Sequence, residues 1–167
     1  MDNALSIEKK ILHNFVSKKH SELLKNYFDK NTNLCSDREE IHKERNIHFQ
    51  DIDNLEIKHV LLYYQDKLKF FIDHFFCDHV RAWNKPQICR WKINESMPLH
   101  GDNENGIDNM KYSAVIYLND NYEGGELKFE NGELYKLKEN SVIFFASGIQ
   151  NRHQVLKVTK GLRYTLP

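Results

Sequence analysis

Apolar positions along the chain keep two different periods, and the change falls near Pro86. In the front half, Leu23, Leu24, Tyr27 and Phe28 fall on one helical stripe within KKHSELLKNYF. Ser17 stands just ahead of that segment and is suited to cap its N-terminus. A stronger helix is predicted from Leu55 to about His79, where Ile57, Leu61, Tyr64, Leu68, Phe71, Ile72 and Phe75 recur at helical spacing. So broad a stripe needs a large apolar surface to lie on, which a sheet would supply. KILHNFV, ahead of both helices, reads as a short strand. The polar stretch 31–46 reads as a loop or a frayed helix.

From Pro86 onward the period becomes two. PQICRWKI, KYSAVIYLN, GELKFE, GELYKLK, SVIFFA, HQVLKV and LRYTL are seven strand candidates. Asn131-Gly132, between the third and the fourth, predicts a type I′ hairpin. Many short strands separated by frequent turns predict an antiparallel sandwich or barrel. No repeat, low-complexity tract or linker interrupts the chain. A single domain over 1–167 is expected, with 1–85 mainly helical support and 86–167 a β core.

Composition narrows the class. A chain of 167 residues is long enough to bury a real core. Hydrophobic residues make up 40% and charged residues 29%, the mix of a soluble globular chain. Lys+Arg and Asp+Glu stand at 24 each, so no overall field favours nucleic acid or an anionic membrane, and neither is expected as a partner. The opening MDNALSIEKKILHNF lacks a basic segment followed by an apolar run. Cys35, Cys77 and Cys89 are widely spaced and odd in number, which suits a reducing compartment. A cytoplasmic location is expected.

The chemistry begins in MPLHGDN, residues 97–103. In extended chain, side chains two apart leave the same face, so His100 and Asp102 would converge. One imidazole and one carboxylate are two thirds of a facial iron site. His153, in GIQNRHQVLKV, opens a later strand and is the candidate third ligand. Two imidazoles and a carboxylate leave coordination positions open for a cosubstrate and O₂. Arg163, in GLRYTLP, carries a planar fork suited to a free carboxylate. The blander reading makes His153 a strand cap and Arg163 half of a surface ion pair.

From about Gln87 to Pro167 the sequence resembles the 2-oxoglutarate/Fe(II)-dependent dioxygenases, in their prolyl-4-hydroxylase-like branch. The resemblance is carried by HGD, YSAVIYLND, YEGGELKFENGE, SVIFFASGIQNRHQVLKV and GLRYTL, in that order. It implies an α+β protein built on a double-stranded β-helix (jelly-roll or cupin-like) of antiparallel strands, with N-terminal supporting helices. His100, Asp102 and His153 are implied as the metal ligands. Arg163 is implied as the partner of the distal carboxylate of 2-oxoglutarate, with Tyr117 donating a hydrogen bond to it. Thr165, two positions after Arg163 and so on the same face, is placed to add a hydroxyl contact. Val115 and Leu127 match apolar positions flanking the cosubstrate, and read equally well as core. Fe(II) and 2-oxoglutarate are the implied cofactors, with ascorbate as an optional reductant. The implied reaction hydroxylates a C–H bond with O₂ and releases succinate and CO₂. The carboxylate at Asp102 favours hydroxylation over halogenation.

Departures from that pattern bear on the substrate. Where relatives often carry a tyrosine ahead of H-x-D, this chain has CRWKI, with Trp91 nearest. A prolyl or other side chain of a peptide or protein is the expected substrate, and a free amino acid or small metabolite the alternative. A cupin-like metal-binding module without turnover is the alternative from another class, and it would need neither Arg163 nor Tyr117. The polar loop 103–110 is expected to lie at the mouth of the site. His74, Cys77 and His79 have loosely metal-like spacing but fit no zinc pattern. Arg81, Trp83, Arg90, Trp91 and Arg152 mix cations with aromatics and are groove candidates.

Overall fold

The computed structural model describes residues 9–37, 45–80, 82–103 and 110–167. Arg81 and all of the 103–110 loop but its two end residues lie outside them. In chain order the described elements are β1 (Lys10–Leu12), α1 (Lys18–Lys30), β2 (Ser36–Asp37), β3 (Arg45–His48), α2 (Leu55–Phe76), β4 (Gln87–Trp91), β5 (Met97–His100), β6 (Tyr112–Tyr117), β7 (Glu123–Gly124), β8 (Leu127–Phe129), β9 (Leu134–Tyr135), β10 (Val142–Ala146), β11 (His153–Val155), β12 (Val158–Lys160) and β13 (Arg163–Leu166).

Both helices begin where the capping chemistry places them. The Ser17 side chain accepts from the His20 amide at 3.1 Å, and Asn54 accepts from the Ile57 amide at 3.1 Å. α2 stops at Phe76, short of His79, because Cys77 adopts the left-handed conformation (φ 50°), which ends the hydrogen-bond ladder. In the polar stretch after α1, residues 38–44 lie outside the described residues; the rest holds a short 3₁₀ turn at Thr32–Leu34, and Ser36–Asp37 pairs with Arg45 and Asn46 as β2 and β3.

A larger antiparallel sheet runs β1-β10-β6-β13-β4-β3-β2, and a smaller one β5-β11-β8-β9. The front half therefore supplies three strands to the larger sheet besides the helices. β7 and β12 form a separate pair; HQVLKV divides between β11 and the first residue of β12. The hairpin at Asn131-Gly132 forms, but not as type I′. Gly132 has positive φ and Asn131 does not, and the Phe129 amide bonds the Glu133 carbonyl at 2.9 Å. Three residues close it, with glycine last in the left-handed region, the alternative hairpin geometry. The Asn131 side chain instead accepts from the Glu133 amide at 3.1 Å.

Strand alternation sorts the residues of the larger sheet into two cores. Val142 and Phe144 of β10, Ile116 of β6 and Tyr164 and Leu166 of β13 pack with Leu24 and Phe28 of α1 and Ile57, Leu61, Tyr64 and Ile72 of α2. The intervening Ile143, Phe145 and Tyr117, with Trp91, meet Leu127 and Phe129 of β8 and Val155 of β11 between the two sheets. Because both faces are covered, β10 is buried at every position, as its unbroken VIFFA suggests. The same alternation turns Arg163 and Thr165 towards the inter-sheet space, since Tyr164 and Leu166 face the helices.

Candidate active site

The smaller sheet brings the three candidate ligands together. His153, the first residue of β11, pairs in register with His100, the last residue of β5, and their ring centroids lie 4.5 Å apart. Asp102 is not in the strand: the chain turns just after Gly101, and the turn still returns its carboxylate to the histidines. Asp102 Oδ1 lies 3.3 Å from His100 Nε2 and 3.8 Å from His153 Nε2. One ligand atom from each of the three lies within 4.8 Å of the others, a grouping found among the described residues at these three alone. His74, Cys77 and His79 form no such group.

Hydrogen bonds set the protonation of this cluster. His100 Nδ1 faces the Pro98 carbonyl at 2.9 Å, and His153 Nδ1 faces the Asn151 carbonyl at 3.1 Å. A carbonyl can only accept, so both Nδ1 atoms carry hydrogens and both Nε2 atoms point inward. Burial lowers the His153 pKa, which keeps the ring neutral against the opposing pull of Asp102. For Asp102 burial raises the pKa, but hydrogen bonds and charge from His100, His153 and Ser113 outweigh it and hold the carboxyl below the usual range. Its second oxygen accepts from Ser113 Oγ, which in turn meets Ser147 Oγ at 2.6 Å. Two inward imidazole Nε2 atoms and a carboxylate thus converge on one point. A divalent cation satisfies that donor set.

The larger sheet supplies the facing wall. Arg163 is 1% exposed, and no carboxylate among the described residues lies within ion-pair distance of it. It is no surface ion pair. Its guanidinium carbon lies 5.4 Å from the Trp91 ring centroid and 5.1 Å from that of Tyr117. Trp91 is its register partner across β4 and β13, and Thr165 pairs with Tyr117 across β13 and β6. Arg163 Nε, Trp91 Nε1 and the hydroxyls of Tyr117 and Tyr122 are all buried without a hydrogen-bond acceptor or donor of suitable geometry. Burial by itself lowers the Arg163 pKa, and the two phenol oxygens more than offset this, so it stays cationic. A buried, unpaired cation amid unused donors fits an anion supplied from outside. Leu127 is fully buried between the sheets and Val115 packs against the same cluster at partial exposure.

The matches to known proteins agree with this geometry. Residues 86–167 fit the family model of the 2OG-Fe(II) oxygenase superfamily. This β core belongs to that superfamily. Its cofactors are Fe(II) and 2-oxoglutarate, the pair that the cation and anion sites suit. The fold is similar to that of the viral collagen prolyl hydroxylase of Paramecium Bursaria Chlorella virus-1, with TM-score 0.73 and 19% identity, covering 95% of this chain and 92% of that one. It is also similar to a Pseudomonas putida prolyl-4-hydroxylase, with TM-score 0.77 and 20% identity over 95% and 89% of the two chains. A 58-residue stretch is 43% identical to human prolyl 3-hydroxylase 2, covering 31% of this chain and 8% of that protein. The matched stretch thus spans a small fraction of that curated relative.

Five contributors went unseen in the sequence. Ser113 and Ser147 sit in strand and turn contexts where serine is ordinary, Pro98 and Asn151 act through their backbones, and Tyr122 stands in a turn. Of the groove candidates, Arg90 pairs with Asp29 at 2.9 Å, Arg152 pairs with Glu130 at 3.2 Å, and Trp83 packs against the helical core.

Proposed function

We propose that this chain is an Fe(II)/2-oxoglutarate-dependent hydroxylase acting on a prolyl or other side chain of a peptide or protein. The observation that carries the reading is a His–Asp–His cluster placed in the same inter-sheet space as a buried guanidinium that meets no carboxylate among the described residues. His100, Asp102 and His153 would hold the iron, and Arg163 with Tyr117 the distal carboxylate of 2-oxoglutarate. With both bound, the pair supplies the oxidising power for C–H hydroxylation by O₂, with succinate and CO₂ as co-products.

The chain's own part is to bind, orient and exclude. The Pro98 and Asn151 carbonyls lock the two imidazoles as ligands, and Ser113 fixes the carboxylate plane. Trp91 and Tyr117 flank the guanidinium, keeping its fork rigid. Leu127, Phe129 and Phe145 line the inter-sheet core and keep bulk water from it. A peptide substrate is supported by a structural neighbour, the Trichoplax adhaerens prolyl hydroxylase, solved with a hypoxia inducible factor peptide fragment; TM-score 0.76, 19% identity. Incubation with Fe(II), 2-oxoglutarate and a set of proline-containing peptides should yield succinate and peptides heavier by one oxygen. Succinate coupled only to oxidation of free amino acids would move the substrate to a small metabolite. Formation of neither product would overturn the hydroxylase reading.

A further inference from the structure

Two phenols flank Arg163, and only Tyr117 lies on a strand that faces it. Tyr122 reaches the same pocket from the turn before β7. What lets it approach is Gly125, at φ 66°. A Cβ there would stand 3.0 Å from Arg163 Cδ and 3.3 Å from Tyr122 Cε2. Absence of a side chain at this point lets the phenol ring and the guanidinium stem close on one another. Tyr122 is 3% exposed, and its hydroxyl is buried with no hydrogen-bond partner. A buried hydroxyl left unmatched is costly, and most native ones are satisfied. The ring is also held from behind: Lys136 Nζ lies 4.9 Å from its centroid and donates to the Tyr122 carbonyl at 2.5 Å. Burial pushes the phenol pKa up to about 12 despite the nearby guanidinium, so the group is a protonated donor at neutral pH.

From this placement we infer that Tyr122 is a second phenolic ligand of the distal carboxylate of 2-oxoglutarate, joining Arg163 and Tyr117. Trp91 then has the packing role, its ring set against the guanidinium, while the second phenol comes from a turn elsewhere in the chain. The inference rests on the reading of this site as a 2-oxoglutarate site. It makes the pocket selective for 2-oxo acids with a second carboxylate.

The test uses the full chain loaded with Mn(II), so that binding is read without turnover. Calorimetric titration with 2-oxoglutarate is compared with titration by 2-oxobutyrate, which keeps the 2-oxo acid end and lacks the distal carboxylate. Wild type should prefer 2-oxoglutarate. Tyr122→Phe, with an unchanged melting curve, should weaken 2-oxoglutarate by roughly tenfold or more, the loss of one hydrogen bond to a charged group. Its affinity for 2-oxobutyrate should stay as in wild type. In wild-type protein with isotope-labelled tyrosine rings, 2-oxoglutarate but not 2-oxobutyrate should shift the signals of two hydroxyl-bearing rings. Wild-type affinity in Tyr122→Phe, or a single shifted ring, overturns the Tyr122 assignment alone. A wild type with no preference between the two acids overturns the site reading beneath it.

Discussion

His100, Asp102 and His153 are held so that one ligand atom of each converges on a single point, which the proposed reading fills with a cation. Replacing any one by Ala should remove most Mn(II) affinity, measured by calorimetry. Retained wild-type affinity in one of the three variants would take that residue out of the metal set. Ser113 touches the cluster only through Asp102. Ser113→Ala should therefore weaken the metal by roughly tenfold to a hundredfold while the fold stands, as is usual for groups that orient a ligand. Arg163 makes the opposite trade. Its buried charge faces no carboxylate among the described residues, so Arg163→Met should raise the melting temperature of the cofactor-free protein, by about 1 kcal/mol or more of stability. The same variant should lose the preference for 2-oxoglutarate over 2-oxobutyrate. A melting point lowered by several degrees would mean that the guanidinium is stabilised by the fold itself.

Among the elements, the β7–β12 pair decides how the Gly124-Gly125 turn enters the site. Gly124 has φ 71°, and a Cβ there would lie 2.2 Å from the Lys157 carbonyl oxygen, a backbone atom that cannot swing away. Gly124→Ala should cost about 1–3 kcal/mol through the left-handed backbone alone, and more from the clash. Chemical denaturation measures it; an unchanged midpoint would show that the pair tolerates repositioning. β10 works differently. It carries two cores on its two faces, Val142 and Phe144 towards the helices and Ile143 and Phe145 towards the site. Phe145 contacts the His153 ring at 5.0 Å between centroids, so core packing and ligand orientation share one strand.

For the whole molecule, the two sheets divide the labour. The smaller sheet presents the His–Asp–His cluster and the larger one the buried guanidinium of Arg163, so the proposed site exists only while the sheets stay packed together. Anything bound to both should act as a cross-brace. Mn(II) with 2-oxoglutarate at about a hundred times its dissociation constant should stabilise the fold by ~2.7 kcal/mol, a rise of a few degrees in melting temperature. 2-Oxobutyrate with the same metal should give a smaller rise at equal concentration. Equal shifts from the two acids would mean that the larger sheet takes no part in binding.

The sequence by itself determined the two helices, seven of the ten strands behind Pro86, and the three residues that converge as the His–Asp–His cluster. Helical period, capping residues and strand alternation are local properties, and H-x-D followed by a strand-opening His is a pattern of chemistry and order. It also pointed to Arg163 and Tyr117, through resemblance to a family. Tertiary structure alone decided which donors share their pocket. Tyr122 lies forty-one positions before Arg163 and meets it only because β6 and β13 are neighbours in one sheet and Gly125 has no side chain. Ser113 reaches Asp102 for the same kind of reason, and Asn131 left the type I′ turn because its own side chain had a better partner in the next residues. β5, which carries His100, hides in a polar stretch whose pairing comes from β11. Strand pairing and side-chain convergence depend on contacts remote in the chain, and no window of the sequence contains them.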